Sequence, residues 1–398
     1  MKNAPLLPIF LIVLVDVFAM TLVIPLLAIY AETFGATPVQ ATLLVSVFAF
    51  CQLFSGPFLG RLSDRTGRKP LLIVSQLGTF AGLLLMAAAH SLPVLFLARI
   101  IDGATAGNLS LAQAYISDHT KPENRTRAFA IIGVAFGVGF FLGPWVTGFL
   151  VRYGLNAPIL LAAGLSLTSV LCTTLLLPGG KPPPDPAATA GSARRPPLGR
   201  IAALRARPAL WTLWAQFFLF SLAFSLFTSG FALFAERRFT FAGHPFGPRE
   251  VGYLFAYSGF LGILLQGGLM GRLVRGLGEA KLARLGFLAA AVAYLGLALA
   301  RGIPHLIVVA TISAFGNGVL RPVVTGQVSQ AVGPHEQGEV LGINQSLASL
   351  AAVLGPYLGG LLIEHELLLA WGVFPACVCL LGLFLSLRPA GAAAPGAA

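Results

Sequence analysis

Gly60-Arg61-Leu62-Ser63-Asp64-Arg65-Thr66-Gly67-Arg68-Lys69-Pro70 sets four cations and one carboxylate between two long apolar runs. Only 10% of the residues in this chain are charged, so such a cluster marks a point where the backbone leaves hydrocarbon. Its cationic excess assigns that surface to the cytoplasmic side of a membrane. Gly60 and Gly67 offer the backbone a tight reversal, and Asp64 suits a helix N-terminus or a neighbouring arginine.

Outward from this stretch, apolar runs of roughly 20 residues recur, the length at which a helix crosses a bilayer. Of 398 residues, 57% are hydrophobic and the mean hydropathy is +0.85, well above the roughly half-apolar usage of soluble domains. The runs predict an all-α polytopic membrane protein with twelve spans, at about 6–30, 40–59, 71–89, 93–116, 128–151, 158–177, 209–235, 249–270, 281–300, 304–330, 338–362 and 367–387. Residues 178–208 hold eight prolines and six basic residues, a composition that packs no core and reads as a flexible cytoplasmic linker. The expected organisation is an N-terminal six-helix bundle over 1–177, the linker, a C-terminal six-helix bundle over 209–387 and a disordered tail over 388–398. With the N-terminus inside, 19 of the 26 Lys and Arg fall in cytoplasmic segments and five outside, so both termini are expected in the cytoplasm.

The net charge of +12 is spread over these connecting segments, which argues for contact with lipid head groups rather than nucleic acid. The first apolar run carries Asp16 and lacks a small-residue cleavage site, so no cleavable signal peptide is expected. Cys51, Cys172, Cys377 and Cys379 all fall within predicted spans and read as core thiols. No phosphate-cradling G-x-x-x-x-G-K-[ST] run and no metal-ligand spacing occurs in the sequence. No enzyme, cofactor or metal is therefore expected. Among fourteen acids, only Asp16 and Asp102 lie well inside a predicted span; Glu32, Glu250, Glu339 and Glu364 lie near ends.

The opening stretch resembles, almost letter for letter, the G-x-L-x-D-R-x-G-R-K loop between helices 2 and 3 of the major facilitator superfamily of transporters. Gly60, Asp64, Arg65, Gly67 and Arg68 match it, and the resemblance implies a conformational switch in which Asp64 meets the start of the eleventh span near Glu339. Two further matches suggest that the halves are copies: Gly271-Arg272-Leu273 lies 211 residues after Gly60, and Leu354-Gly355-Pro356 lies 212 after Leu142-Gly143-Pro144. Such parallel repeats are what two halves rocking about a central site leave in sequence.

Asp16 lies about 15 Å into the first span at 1.5 Å per residue. An ionised carboxylate there is costly, so it faces a cavity or is held neutral between helices. Arg99 and Asp102 are three residues apart, share a helix face and can pair. By resemblance to the tetracycline-exporter branch, Asp16 belongs to the transport pathway and Arg99 takes part in proton transfer. A purely structural ion pair is the alternative for Arg99 and Asp102. The run Gly107 to Asp118 resembles the same branch and adds Asn108 and Gln113 to the expected substrate cavity. In the fifth span Gly139, Gly143, Pro144 and Gly148 resemble the antiporter run G-x-x-x-G-P-x-x-G-G, with Thr147 in place of its first closing glycine.

Helices 1, 4, 7 and 10 line the cavity in this superfamily, which makes Gln216, Asn317 and Arg321 candidate substrate contacts. Arg321 either binds an anionic group or snorkels to head groups. Trp211 and Trp214 read as an interfacial belt. The leading expectation is a monomeric, proton-coupled exporter of small amphipathic drugs or metabolites in a bacterial inner membrane. Its rivals are an importer or facilitator of a small organic anion and a scaffold that has lost transport. The third and ninth spans lack the additional acids of tetracycline exporters, which argues against a metal-chelated substrate.

Overall fold

The computed structural model describes residues 6–119, 122–178, 208–332 and 337–387. The expected linker and tail, and the side chains of Asp64 and Glu339, lie outside the described residues. In the first half, α1 (Leu6–Val23), α2 (Leu27–Glu32), α3 (Pro38–Thr66), α4 (Arg68–Ala87), α5 (Leu92–Ala104), α6 (Asn108–His119), α7 (Pro122–Leu150) and α8 (Asn156–Leu176) follow in order. The second half holds α9 (Pro208–Arg238), α10 (Pro248–Leu264), α11 (Met270–Leu277), α12 (Glu279–Leu299), α13 (Ile303–Gln330), α14 (Gln337–Glu364) and α15 (Leu368–Leu387). Among the described residues eleven helical segments are long and apolar enough to cross a membrane. The remaining apolar stretch, α1 with α2, supplies the first crossing in two pieces.

Two predicted spans are broken, for backbone reasons. Pro25 has no N–H to give, and the N–H of Leu26 turns to Val23 O at 3.1 Å, so α1 ends at Val23. Thr147 of α7 answers the break by donating its hydroxyl to Leu22 O at 2.7 Å. The fourth crossing opens between Ala104 and Asn108. There Ser75 of α4 donates to Thr105 O and accepts the N–H of Gly107, while Ser55 of α3 donates to Gly103 O. Irregular backbone at membrane depth is tolerated where protein groups satisfy it in this way.

The charged stretch is less of a loop than its composition predicts. Gly60 to Arg65 continue α3, and the reversal rests on one residue, Gly67, at φ +101°. Gly60 is helical with open space where a Cβ would be. The matching stretch in the second half is helical too: α10 passes through a π-helical turn at Leu265–Leu269 into α11, and Gly278 at φ +75° makes the turn. Trp211 is half exposed, but Trp214 is buried and packs inward. Four of the phenylalanines of α9, Phe217, Phe220, Phe231 and Phe234, are buried as well, and Phe234 stacks on Trp371 at 4.5 Å.

The halves meet through α3 against α14 and α7 against α10, and they meet at one end. Pro38 O, Val39 and Thr42 press on Gly360, and Ser46 donates to Val353 O at 2.7 Å. Glu364 accepts the N–H of Val39, and Glu32 pairs with Arg237 across the same end. A Cβ on Gly259 would lie 2.5 Å from Phe140 O, and one on Gly252 would overlap Pro144 O. These described contacts join the halves at the α2 end.

The seal depends on bare backbone in α10. Gly252→Val puts branched carbons into Pro144 O and should shift the population toward an opened α2 end by about tenfold or more. Thr42, fully buried under Gly360, reports it as Thr42→Cys in a cysteine-free background. Labelling by a water-soluble maleimide should accelerate by that factor, and an unchanged rate would remove the α7–α10 contact from the seal.

Candidate functional site

Within the first half, bordered on one side by Thr228 and Ser229 of α9, lies a cavity of about 290 Å³ whose lining includes Asp16, Phe48, Gln52, Thr79, Arg99, Asp102, Asn108 and Phe136. Its polar groups come from α1, α3, α4, α5, α6 and α9, with apolar wall between them. The cavity is therefore a mostly apolar space with a few convergent polar groups, the usual form of a small-molecule site.

Asp16 is placed by close helix packing. Gly139 and Gly143 of α7 have no side chains to hold α1 away: a Cβ on Gly139 would lie 2.7 Å from Val17, and one on Gly143 would overlap Thr21. Thr21 donates to Gly139 O at 2.8 Å and Thr147 locks the next turn. The glycine-proline run thus works on two faces. Gly139, Gly143 and Thr147 fix α1, while Pro144 and Gly148 touch α10 of the other half.

The Asp16 carboxyl lies against the side chains of Gln76 on α4 and Ser169 on α8. The Gln76 amide donates to Ser169 Oγ at 2.8 Å, and its Oε1 is buried with no partner. Gln76 and Ser169 escaped the sequence reading, which searched spans for ions; a neutral amide in the third span, Gln76, was the visible signal.

Arg99 and Asp102 pair within α5, Nη1 to Oδ2 at 2.8 Å. The guanidinium also donates through Nε to Leu44 O at 3.3 Å and lies 4.2 Å above the Phe48 ring. All faces of this cation are used. Gly82 makes room, since a Cβ there would come within 2.9 Å of Ala98 O and of Asp102. Asn108 opens α6 with its Oδ1 buried and unpartnered at the cavity wall.

The other expected contacts separate. Gln113 is exposed but does not line the cavity, and Gln216 is buried within the second half. Asn317 donates to Ser313 at 2.9 Å and accepts from Tyr294 Oη at 3.3 Å, so its amide serves packing in that half. The Arg321 guanidinium lies 5.8 Å from the ring of Phe136, which lines the cavity; Arg321 itself does not line it.

The all-helical, many-span architecture matches the sequence resemblance in fold. A sequence model of the Major Facilitator Superfamily matches residues 9–356 and 268–397. The chain belongs to this superfamily. It is a multi-pass membrane transporter, not an enzyme. Multidrug resistance protein 2 of Bacillus subtilis (strain 168) is 25% identical over 384 residues, covering 95% of this chain and 94% of its own. The class B tetracycline resistance protein of Escherichia coli is 29% identical, covering 89% of this chain and 88% of its own. The crystal structure of the human organic anion transporter MFSD10 (TETRAN) superposes with a TM-score of 0.73 at 25% identity, covering 96% of this chain and 99% of its own.

Removing one partner of a buried ion pair costs about 3–5 kcal/mol because the other charge is left alone. Asp102→Asn should therefore lower thermal stability in detergent sharply. The double change Arg99→Leu with Asp102→Leu should recover most of the loss. A single variant as stable as the parent would show that Phe48 and Leu44 O suffice for Arg99.

Proposed function

We propose that the chain is a proton-driven exporter of small amphipathic drugs or metabolites, acting as a monomer by alternating access. The observation that carries this reading is Asp16 at the wall of the central cavity, outside the internal Arg99–Asp102 pair. A carboxyl in that position exchanges its proton with whichever side the cavity opens to. The contacts that join the halves at the α2 end fit an inward-facing state, in a bacterial inner membrane with both termini in the cytoplasm. The names of the two bacterial relatives support export of antibiotics as the class of activity.

Coupling follows from competition. If a substrate and a proton cannot both occupy Asp16, each turnover of the cavity trades one for the other. The runner-up is a proton-coupled importer or facilitator of a small organic anion. It is favoured by Arg321, a cation without an acidic partner among the described residues, and by the likeness to the human organic anion transporter.

Reconstituted protein under an imposed pH gradient tests the proposal. The parent should concentrate substrate against its gradient, at the expense of the proton gradient. Asp16→Asn should abolish concentrative transport while leaving exchange between the two faces. Equal concentrative transport by parent and variant would remove Asp16 from the proton path. Substrate moving with protons rather than against them would select the importer.

A further inference from the structure

Asp16 lines the cavity, but the two side chains its carboxyl lies against do not. Gln76 of α4 and Ser169 of α8 are fully buried and absent from the cavity lining, so substrate and cavity water reach the acid and not these neighbours. Ser166, Ser169 and Thr173 recur on one face of α8, all of them buried. Ser166 donates to Gln76 O at 3.2 Å, and Ser169 Oγ accepts an N–H of the Gln76 amide at 2.8 Å. These bonds hold both the backbone and the amide of Gln76 against α8. The Gln76 Oε1 is left buried without a donor, a costly condition for an acceptor in a dry place. Asp102 of α5 is the charged group that acts on Asp16, and it is itself paired with Arg99; α7 meets this part of α1 with Gly139.

We propose that Gln76 is a positioning residue for Asp16, holding its carboxyl at the cavity wall both with and without the proton. A carboxylate only accepts hydrogen bonds, whereas a protonated carboxyl must also donate one. The Gln76 amide serves both forms. Its second N–H and the Ser169 hydroxyl are donors for the anion, and the free Oε1 is an acceptor for the acid. The last torsion of a glutamine is broad and roughly two-fold, so either end of the amide can turn to the carboxyl. An apolar side chain in this place would leave the anion without donors in a dry wall. The proton itself passes between Asp16 and cavity water, and Gln76 gains and loses none. The role rests on the exporter reading for the use made of that exchange.

Infrared difference spectra of the full chain in lipid vesicles, acid minus alkaline, test this without substrate or proton gradient. The carboxylic C=O band of Asp16 is the one lost in Asp16→Asn. Gln76→Met, close in volume but without an amide, should move that band to higher frequency, toward a free acid. Ser169→Ala should move it by less, and Ser169→Thr, which keeps the hydroxyl, should leave it in place. In the parent, a side-chain amide C=O band should change in step with the Asp16 band and vanish from the difference spectrum in both Asp16→Asn and Gln76→Met. A Gln76 that only packs α4 on α8 would move neither band. An Asp16 band unmoved by Gln76→Met, or an amide signal that survives Asp16→Asn, would overturn the proposal alone. Absence of any carboxyl band lost in Asp16→Asn would overturn it together with the exporter reading.

Discussion

Arg99 and Asp102 stand one helical turn apart, 2.8 Å between their charged atoms, at a depth where neither is affordable as an isolated ion. Their mutual neutralisation determines what the other ions of the cavity can do. Because Arg99 is spent on Asp102, Leu44 O and Phe48, it is not available to hold Asp16. Because α5 must lie close enough to α4 for the pair to be buried, Gly82 has no side chain. Asp16 is then left at the cavity wall without an ionic partner among the described residues.

The same accounting applies to the backbone. Each broken crossing releases carbonyl and amide groups that hydrocarbon does not satisfy, and each break has a hydroxyl beside it. Thr147 serves the break at Pro25; Ser75 and Ser55 serve the break before Asn108. The second break places Asn108 at the first residue of α6, on the cavity wall. Thr147 shows the point well. It replaces a glycine of the antiporter-like run, and the hydroxyl it brings reaches α1 at the turn where that helix ends.

Spans, charged stretch and ion positions were legible in the sequence because each is a contrast between hydrocarbon and charge. A lone acid in twenty apolar residues is visible without any structure, and Asp16, Arg99, Asp102 and Asn108 do converge on one cavity. Neutral polar residues were not legible in that way. Gln76, Gln216 and Asn317 are equally conspicuous as letters, yet Gln76 touches Asp16 while Asn317 bonds Tyr294 and Ser313 within its own half. The choice depends on helix rotation, which sequence periodicity fixes only when one face is clearly polar. The glycines divided likewise: Gly67 makes a turn, Gly60 merely continues a helix.

The sealed end shows how the two halves can part without exposing unpaired groups at great cost. Its contacts are of two kinds. Bare backbone surfaces at Gly252, Gly259 and Gly360 give close approach but no strong bond, and on separation they lose only dispersion contact, small per atom pair. The polar contacts are Glu32 with Arg237 and Glu364 on the first turn of α3, where a carboxylate also gains from the helix dipole, together with one buried bond, Ser46 to Val353 O. Glu364 is solvent-accessible, so water replaces its partner when the end opens. The central charges differ: Arg99 and Asp102 are bonded to one another within a single helix, so a rigid movement of that helix leaves their bond intact.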